Sequence, residues 1–181
     1  DAFVQLHFPE RSYDKDAEIA RKGTVNPDLL QALKNNPFFE APFPKSTGPE
    51  LFNLEYVQKA ITESQTEQLS IEDVLATLTR FSAETAAEAI VFAIEQTGTT
   101  TADFTVYVSG GGMHNPLLMD YLKELVPCSF KNTNEIGISG DAKEAILFAV
   151  LANETVAGGA TDFGTNNGIP SVTMGKISFP D

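Results

Sequence analysis

The sequence predicts an α/β fold, and three observations carry that reading. From Ser70 onward the pattern runs helix, strand, helix, strand, helix. Apolar residues from Ile71 to Ala93 recur at spacings of three and four, the period of one helix face. The run Phe-Thr-Val-Tyr-Val-Ser at 104–109 is β-branched and aromatic and ends at a glycine run, as a buried strand does. Helices alternating with strands pack as an α/β layer with neighbouring strands parallel. The 181 residues suit one domain or two small ones, and a 42% hydrophobic share is enough for a sizeable core.

Residues 1–69 read as a helical and loop segment, and 70–181 as the α/β core. Six of the ten prolines fall before residue 70, which keeps the helices there short. Residues 14–22 are predicted as a helix stopped by Gly23. Asn26 and Pro27 form a helix start, with Asn as the cap and Pro at the first helical position. It leads into 28–34, where Leu29, Leu30 and Leu33 share a face. A proline-broken apolar loop is expected at 36–44, and helix again at 53–64. Ser70 followed by Asp73 resembles a capping box, opening a long helix that ends near Gly98. After the strand at 104–109, a helix is expected over Pro116–Leu125 and a short strand at 127–131. An apolar helix is expected at 141–152, and an extended end at 175–179.

Composition limits function. Twenty-five acidic residues against twelve basic ones give a net charge of −13, which argues against binding a nucleic-acid backbone. It does not argue against a nucleotide, whose phosphates can be held by backbone N–H groups and a divalent metal. The lone Cys128 excludes an internal disulfide framework and a cysteine-based zinc site; His7 and His114 are too few for a His-rich metal site. No apolar run reaches the ~18 residues of a membrane span, and no signal-peptide pattern shows.

Three runs could carry chemistry. Ser109-Gly110-Gly111-Gly112-Met113-His114-Asn115-Pro116 follows a strand and opens a helix. Its glycines allow a sharp turn and close approach of a ligand, and Asn115 caps a helix whose positive end suits a phosphate. A ligand-free strand-to-helix turn is an equal reading, and His114 reads better as a polar turn residue than as an acid or base. Lys45, Ser46 and Thr47 lie in Pro44-Lys45-Ser46-Thr47-Gly48-Pro49, without the glycines of a Walker loop. Lys45 could grip a phosphate or sugar hydroxyl, or the loop could be structural, pinned by prolines and capped by Thr47. In Gly137-Ile138-Ser139-Gly140-Asp141-Ala142-Lys143-Glu144, periodicity alone favours a capping box of Asp141 and Glu144. A carboxylate facing a cleft is the alternative for Glu144.

Taken in order, these runs resemble the C-terminal half of anhydro-N-acetylmuramic acid kinases. The similarity is carried by Pro-Lys-Ser-Thr-Gly-x-Glu-Leu-Phe-Asn, Gly-Gly-Gly-x-His-Asn-Pro-x-Leu-Met and Gly-Asp-Ala-Lys-Glu-Ala-Ile-x-Phe-Ala-x-Leu-Ala. Tyr13-Asp14-Lys15-Asp16 with Gly23, Ser171-Val172-Thr173 and Gly175-Lys176-Ile177 agree. The resemblance implies a ribonuclease H-like domain of the hsp70–actin–sugar kinase superfamily, in which two such domains close over ATP and substrate. It implies an ATP- and Mg²⁺-dependent kinase that opens the 1,6-anhydro ring with water and phosphorylates O6 in cell-wall recycling. Gly110, Gly111, Gly112 and Asn115 would then lie against the adenosine, and Glu144 would face the sugar.

Partners implied in the same way are a small-molecule sugar substrate and an N-terminal domain, in the cytoplasm; a homodimer is left open, and neither nucleic acid nor membrane is expected. The family's Gly-Thr-Ser-x-Asp-Gly phosphate loop is not found in these residues, and its base aspartate is expected upstream of Asp1. Pro49 stands where the family usually has Arg, and Ala17 where Gly is frequent. The isolated chain is therefore expected to be half an enzyme and inactive alone. The rival readings are a non-catalytic binding module and a kinase of the same superfamily with another substrate.

Overall fold

In the computed structural model, residues 1–158 and Ser178 are described. The chain divides into two compact units, one of Asp1–Val106 with Gly111–Phe130, the other of Tyr107–Gly110 with Lys131–Asp181.

The first unit is organised by one long helix. Helix α1 (Ala2–His7) precedes two 3₁₀ turns, Lys15–Ala17 and Ala20–Lys22. Helices α2 (Pro27–Lys34), α3 (Pro37–Glu40) and α4 (Leu54–Glu63) follow, and then α5 (Ile71–Glu95) runs for 25 residues. The predicted caps at Asn26 and Ser70 form, and Asn53 caps α4 as well. Asn26 accepts from Leu29 N–H, Asn53 from Tyr56 N–H and Ser70 from Asp73 N–H. Helix α5 contributes to three apolar clusters. Leu75 joins Val4, Ala17, Ile19 and Ala20. Val74 joins Leu29, Leu33, Ala60 and Ile61. Ala83 and Ala87 join Leu122 and Val126. Packing thus runs continuously across position 69/70.

The predicted helix at 14–22 is corrected to the two 3₁₀ turns. Asp16 and Ala17 take φ of 55° and 57°, in the left-handed region, which no α-helix tolerates. The Asp14 carboxylate accepts the N–H groups of Ile19 and Ala20, both at 2.9 Å, and so offers the backbone an alternative to helix. Gly23 does end the segment: a Cβ on it would lie 2.1 Å from the Glu72 carbonyl oxygen of α5. The expected loop at 36–44 contains the single turn of α3, and its Phe38 and Phe39 stack edge-on with each other and with Phe52 or Phe81.

The expected strand–helix–strand is present as β1 (Thr105–Val108), α6 (Pro116–Leu125) and β2 (Ser129–Asn132), the two strands pairing in a small parallel sheet. In the second unit, Gly110 N–H donates to Gly140 O at 2.9 Å, and α7 spans Lys143–Ala157. Its start corrects the expected capping box. The cap residue is Ala142, whose N–H donates to Ser139 Oγ, so Asp141 lies outside the helix and Glu144 falls at its second position. A capping box does form, ten residues earlier, between Asn132 and Glu135, and Gly137 closes that turn at φ 79°. The expected extended end at 175–179 and the runs at 171–173 and 175–177 lie outside the described residues, Ser178 apart.

Candidate functional site

The turn after β1 is built from backbone outward. Gly110 has φ of 83°, so only glycine adopts its conformation without strain. Gly111 and Gly112 begin a 3₁₀ turn, Gly111–His114, and have no such backbone need. Among the described residues, a Cβ on Gly111 would meet no atom within 4 Å, and one on Gly112 only Leu118 Cδ2, at 3.5 Å. Among the described residues, neither packing nor conformation therefore requires these two positions to be bare. Asn115 Oδ1 accepts from Leu118 N–H at 3.0 Å and fixes the first turn of α6. Pro116 has no N–H and Leu118 spends its own on Asn115, so this helix end offers fewer free donors than the sequence promised.

Residues of this turn line a cavity of about 870 Å³, and every lining residue belongs to the first unit. That is within the usual size of small-molecule sites. Phe3, Val4, Leu75, Leu78 and Leu118 give it an apolar surface. Gly111, Gly112, His114 and Asn115 come from the turn, Thr79 and Ser82 from α5, and Tyr13, Asp14, Lys15 and Asp16 from the left-handed segment. An apolar wall, bare backbone, hydroxyls and one lysine among the carboxylates of Asp1, Asp14 and Asp16 can accommodate a flat heterocycle with polar appendages, an anionic group being received at the lysine.

Ionic contacts hold the wall. Arg80 on α5 bonds Glu84 at 2.9 Å and Glu124 of α6 at 3.1 Å, and lies over the Tyr121 ring. Burial works against its charge, but the two carboxylates outweigh burial and hold its pKa above the ordinary value. Asp73 is held below its ordinary pKa, first by the Thr24 N–H and then by the Ser70 hydroxyl.

Of the sequence-predicted residues, the structure brings Gly111, Gly112 and Asn115 to the cavity. Gly110 shapes the turn without lining it. Lys45, Ser46 and Thr47 lie elsewhere in the unit. The Lys45 ammonium donates to Phe38 O and Phe39 O, both at 2.9 Å, and sits 4.7 Å from the Phe43 ring centre. It thereby satisfies the last carbonyls of α3 and pins the loop. The Gly48 N–H is capped by Glu50, at 2.7 Å, rather than by Thr47. Glu144 belongs to the second unit and is exposed. No group of three His, Cys, Asp or Glu side chains fit to hold a metal occurs among the described residues.

Sequence reasoning missed Tyr13, Lys15, Thr79 and Ser82 as site residues. Thr79 and Ser82 are three apart on α5, a spacing that marks a shared helix face. The signal for Tyr13 and Lys15 was an aromatic and a cation inside a polar run too short to form a core helix.

Comparison with known proteins gives one answer. The family model for anhydro-N-acetylmuramic acid kinase matches residues 1–178. A protein of that name from Pseudoalteromonas atlantica is 51% identical over all of this chain, which spans 45% of its length. Those from Streptomyces avermitilis and Pasteurella multocida are each 41% identical, over 92% and 97% of this chain and 41% and 43% of their own lengths. The chain thus spans less than half of the curated relatives it matches.

Proposed function

The chain belongs to the anhydro-N-acetylmuramic acid kinase family, and on that premise we propose that it forms the nucleotide-binding part of an ATP-dependent sugar kinase. The reading assigns it a ribonuclease H-like domain, the C-terminal half of a two-domain cytoplasmic enzyme of the hsp70–actin–sugar kinase superfamily. The substrate is anhydro-N-acetylmuramic acid. In the overall reaction the C1–O6 bond breaks, water oxygen joins C1, and O6 takes the γ-phosphoryl group. The products are N-acetylmuramic acid 6-phosphate, ADP and the proton that the water gives up.

One observation supports this above the others. Among the described residues nothing in the packing or backbone needs Gly111 and Gly112 to be bare, and both line the same cavity as Asn115. A ligand that packs against backbone gives those glycines a purpose. Gly111, Gly112 and Asn115 would hold the adenosine, with the apolar wall of Leu75, Leu78 and Leu118 beside it. When bound, ATP supplies the phosphoryl group and Mg²⁺ neutralises charge on its phosphates. Mg²⁺ usually keeps several waters and takes few protein ligands, which fits a site with scattered carboxylates such as Asp16. Glu144 is proposed on the sugar side, where a carboxylate accepts a hydroxyl proton or orients water.

The test is calorimetric titration of ATP, together with a coupled assay for ADP release in the presence of the anhydro-sugar. The full natural protein should bind ATP and turn over. Residues 1–181 alone should bind nucleotide without turnover. A full protein that binds no ATP would overturn the proposal; one that binds ATP but uses only another sugar would move it to a different member of the superfamily.

A further inference from the structure

Tyr13 and Lys15 lie on the wall of the cavity that holds Gly111 and Gly112. The Tyr13 side chain is 54% exposed, although it is an aromatic on a partly apolar wall. Among the described residues it stacks on no other ring and makes no side-chain hydrogen bond. Among the described residues Lys15 likewise has no carboxylate partner. It is the sole lysine or arginine on this wall.

Neither side chain is left idle by a loose backbone. The Asp14 carboxylate between them takes two N–H groups at 2.9 Å, and the left-handed Asp16 and Ala17 follow directly. The segment is thus pinned, with a free aromatic face and a free ammonium two residues apart. An aromatic face recognises a heterocyclic base by stacking, and an ammonium recognises an anion as a point charge. A nucleotide carries both.

We infer that Tyr13 stacks on the base and Lys15 pairs with a phosphate of the bound nucleotide. This assignment rests on the nucleotide reading of the cavity and adds to it two binding residues outside the glycine turn. Stacking on any π-face is tolerant of base identity, so Tyr13 contributes affinity more than a choice of adenine over guanine.

The experiment is calorimetric titration of ATP, adenosine and inorganic tripolyphosphate into the full natural protein and into Tyr13→Phe, Tyr13→Ala and Lys15→Met, each checked for its melting temperature. Both side chains are exposed, so all variants should fold. Tyr13→Ala should weaken ATP and adenosine by roughly tenfold, the scale of one stacked base, while Tyr13→Phe matches the wild type. Lys15→Met should weaken ATP and tripolyphosphate, leave adenosine unchanged, and flatten the salt dependence of ATP binding. Equal affinities across all the proteins would overturn the assignment and leave the nucleotide reading standing. Loss in Tyr13→Phe equal to that in Tyr13→Ala would overturn stacking. A folded wild type that binds none of the three ligands would overturn both the assignment and the reading beneath it.

Discussion

Replacing Gly111 by valine separates the two roles a glycine turn can have. Gly111 lies outside the left-handed region, and a Cβ built on it has no atom of the described residues within 4 Å. The folded chain therefore accepts valine without a clash, and stability should move by no more than about 0.5 kcal/mol, the usual scale for an exposed site. The ligand meets a different surface. Three added carbons stand where its atoms would approach the backbone, and contact at 3.5–4.0 Å is lost over that patch. Losing about ten atom pairs at ~0.1–0.2 kcal/mol each, with one backbone hydrogen bond of ~1 kcal/mol, comes to roughly 2–3 kcal/mol. That is about 30- to 150-fold in Kd. Alanine at the same position should give an intermediate loss. Calorimetry with ATP and a thermal melt on the same samples read both quantities. A Gly111→Val protein that melts as the wild type does and binds ATP equally well would refute the argument, because the bareness of the turn would then serve no ligand.

Gly23→Ala should act in the opposite sense, on stability and not on ligand. Its Cβ would fall 2.1 Å from Glu72 O and 2.6 Å from Asp73 N, both backbone atoms of α5. Overpacking of this kind costs about 1–3 kcal/mol, or roughly 2–10 °C in melting temperature, and an unchanged melt would contradict the close approach. Lys45→Met should lower the melting temperature by removing two charge-assisted bonds to Phe38 O and Phe39 O, and leave ATP affinity intact; lost affinity at full stability would restore the phosphate-gripping role. Glu144→Gln should keep the melt and ATP affinity but lower turnover by ~10²-fold, the low end for a positioned acid–base group, and unchanged turnover would remove Glu144 from the site. Asp73 supplies a pH test. Its folded pKa is depressed, chiefly by the Thr24 N–H, so its contribution is present above the unfolded carboxylate value and is lost as pH falls through the folded one. The melting-temperature gap between wild type and Asp73→Asn should be widest near neutrality and close below pH 4; a gap that widens on acidification would contradict the sign.

Much of the fold was legible because local chemistry decides it. Asn26, Asn53, Ser70 and Asn115 cap the helices they precede, and the period of 71–95 marks its buried face without reference to anything distant. The failures share a cause. At 14–22 a helical pattern lost to the Asp14 carboxylate, which binds the N–H groups of Ile19 and Ala20 across the segment. At 141–144 two alternative caps were available, and Ala142 with Ser139 took the start of α7. The position of Ala17 is instructive. Its φ of 57° lies in the left-handed region, which glycine adopts without strain, so the glycine that the resemblance leads one to expect there has a physical reason. Of the site, Gly111, Gly112 and Asn115 could be read from a contiguous run. Tyr13, Lys15, Thr79 and Ser82 come from two other segments, and only the packing of α5 brings them to the same cavity.

Helix α5 has a consequence for how the first unit opens. Leu75, Val74 and the pair Ala83 and Ala87 each belong to a different apolar cluster, yet all sit on one rigid rod of 25 residues. A cluster cannot come apart at its α5 side without fraying the helix that the other two also need. Amide hydrogens from Val74 to Ala87 should therefore exchange with solvent only through opening of the whole unit, at one shared free energy, whereas those of the short helix α1 exchange through local fraying. A destabilising change in any cluster should lower protection along all of α5 by the same amount, including around Thr79 and Ser82 at the cavity wall. Damage near α4, far along the chain from Gly111, would then reach the ligand site as a smaller closed population, with the contacts of the closed state unaltered.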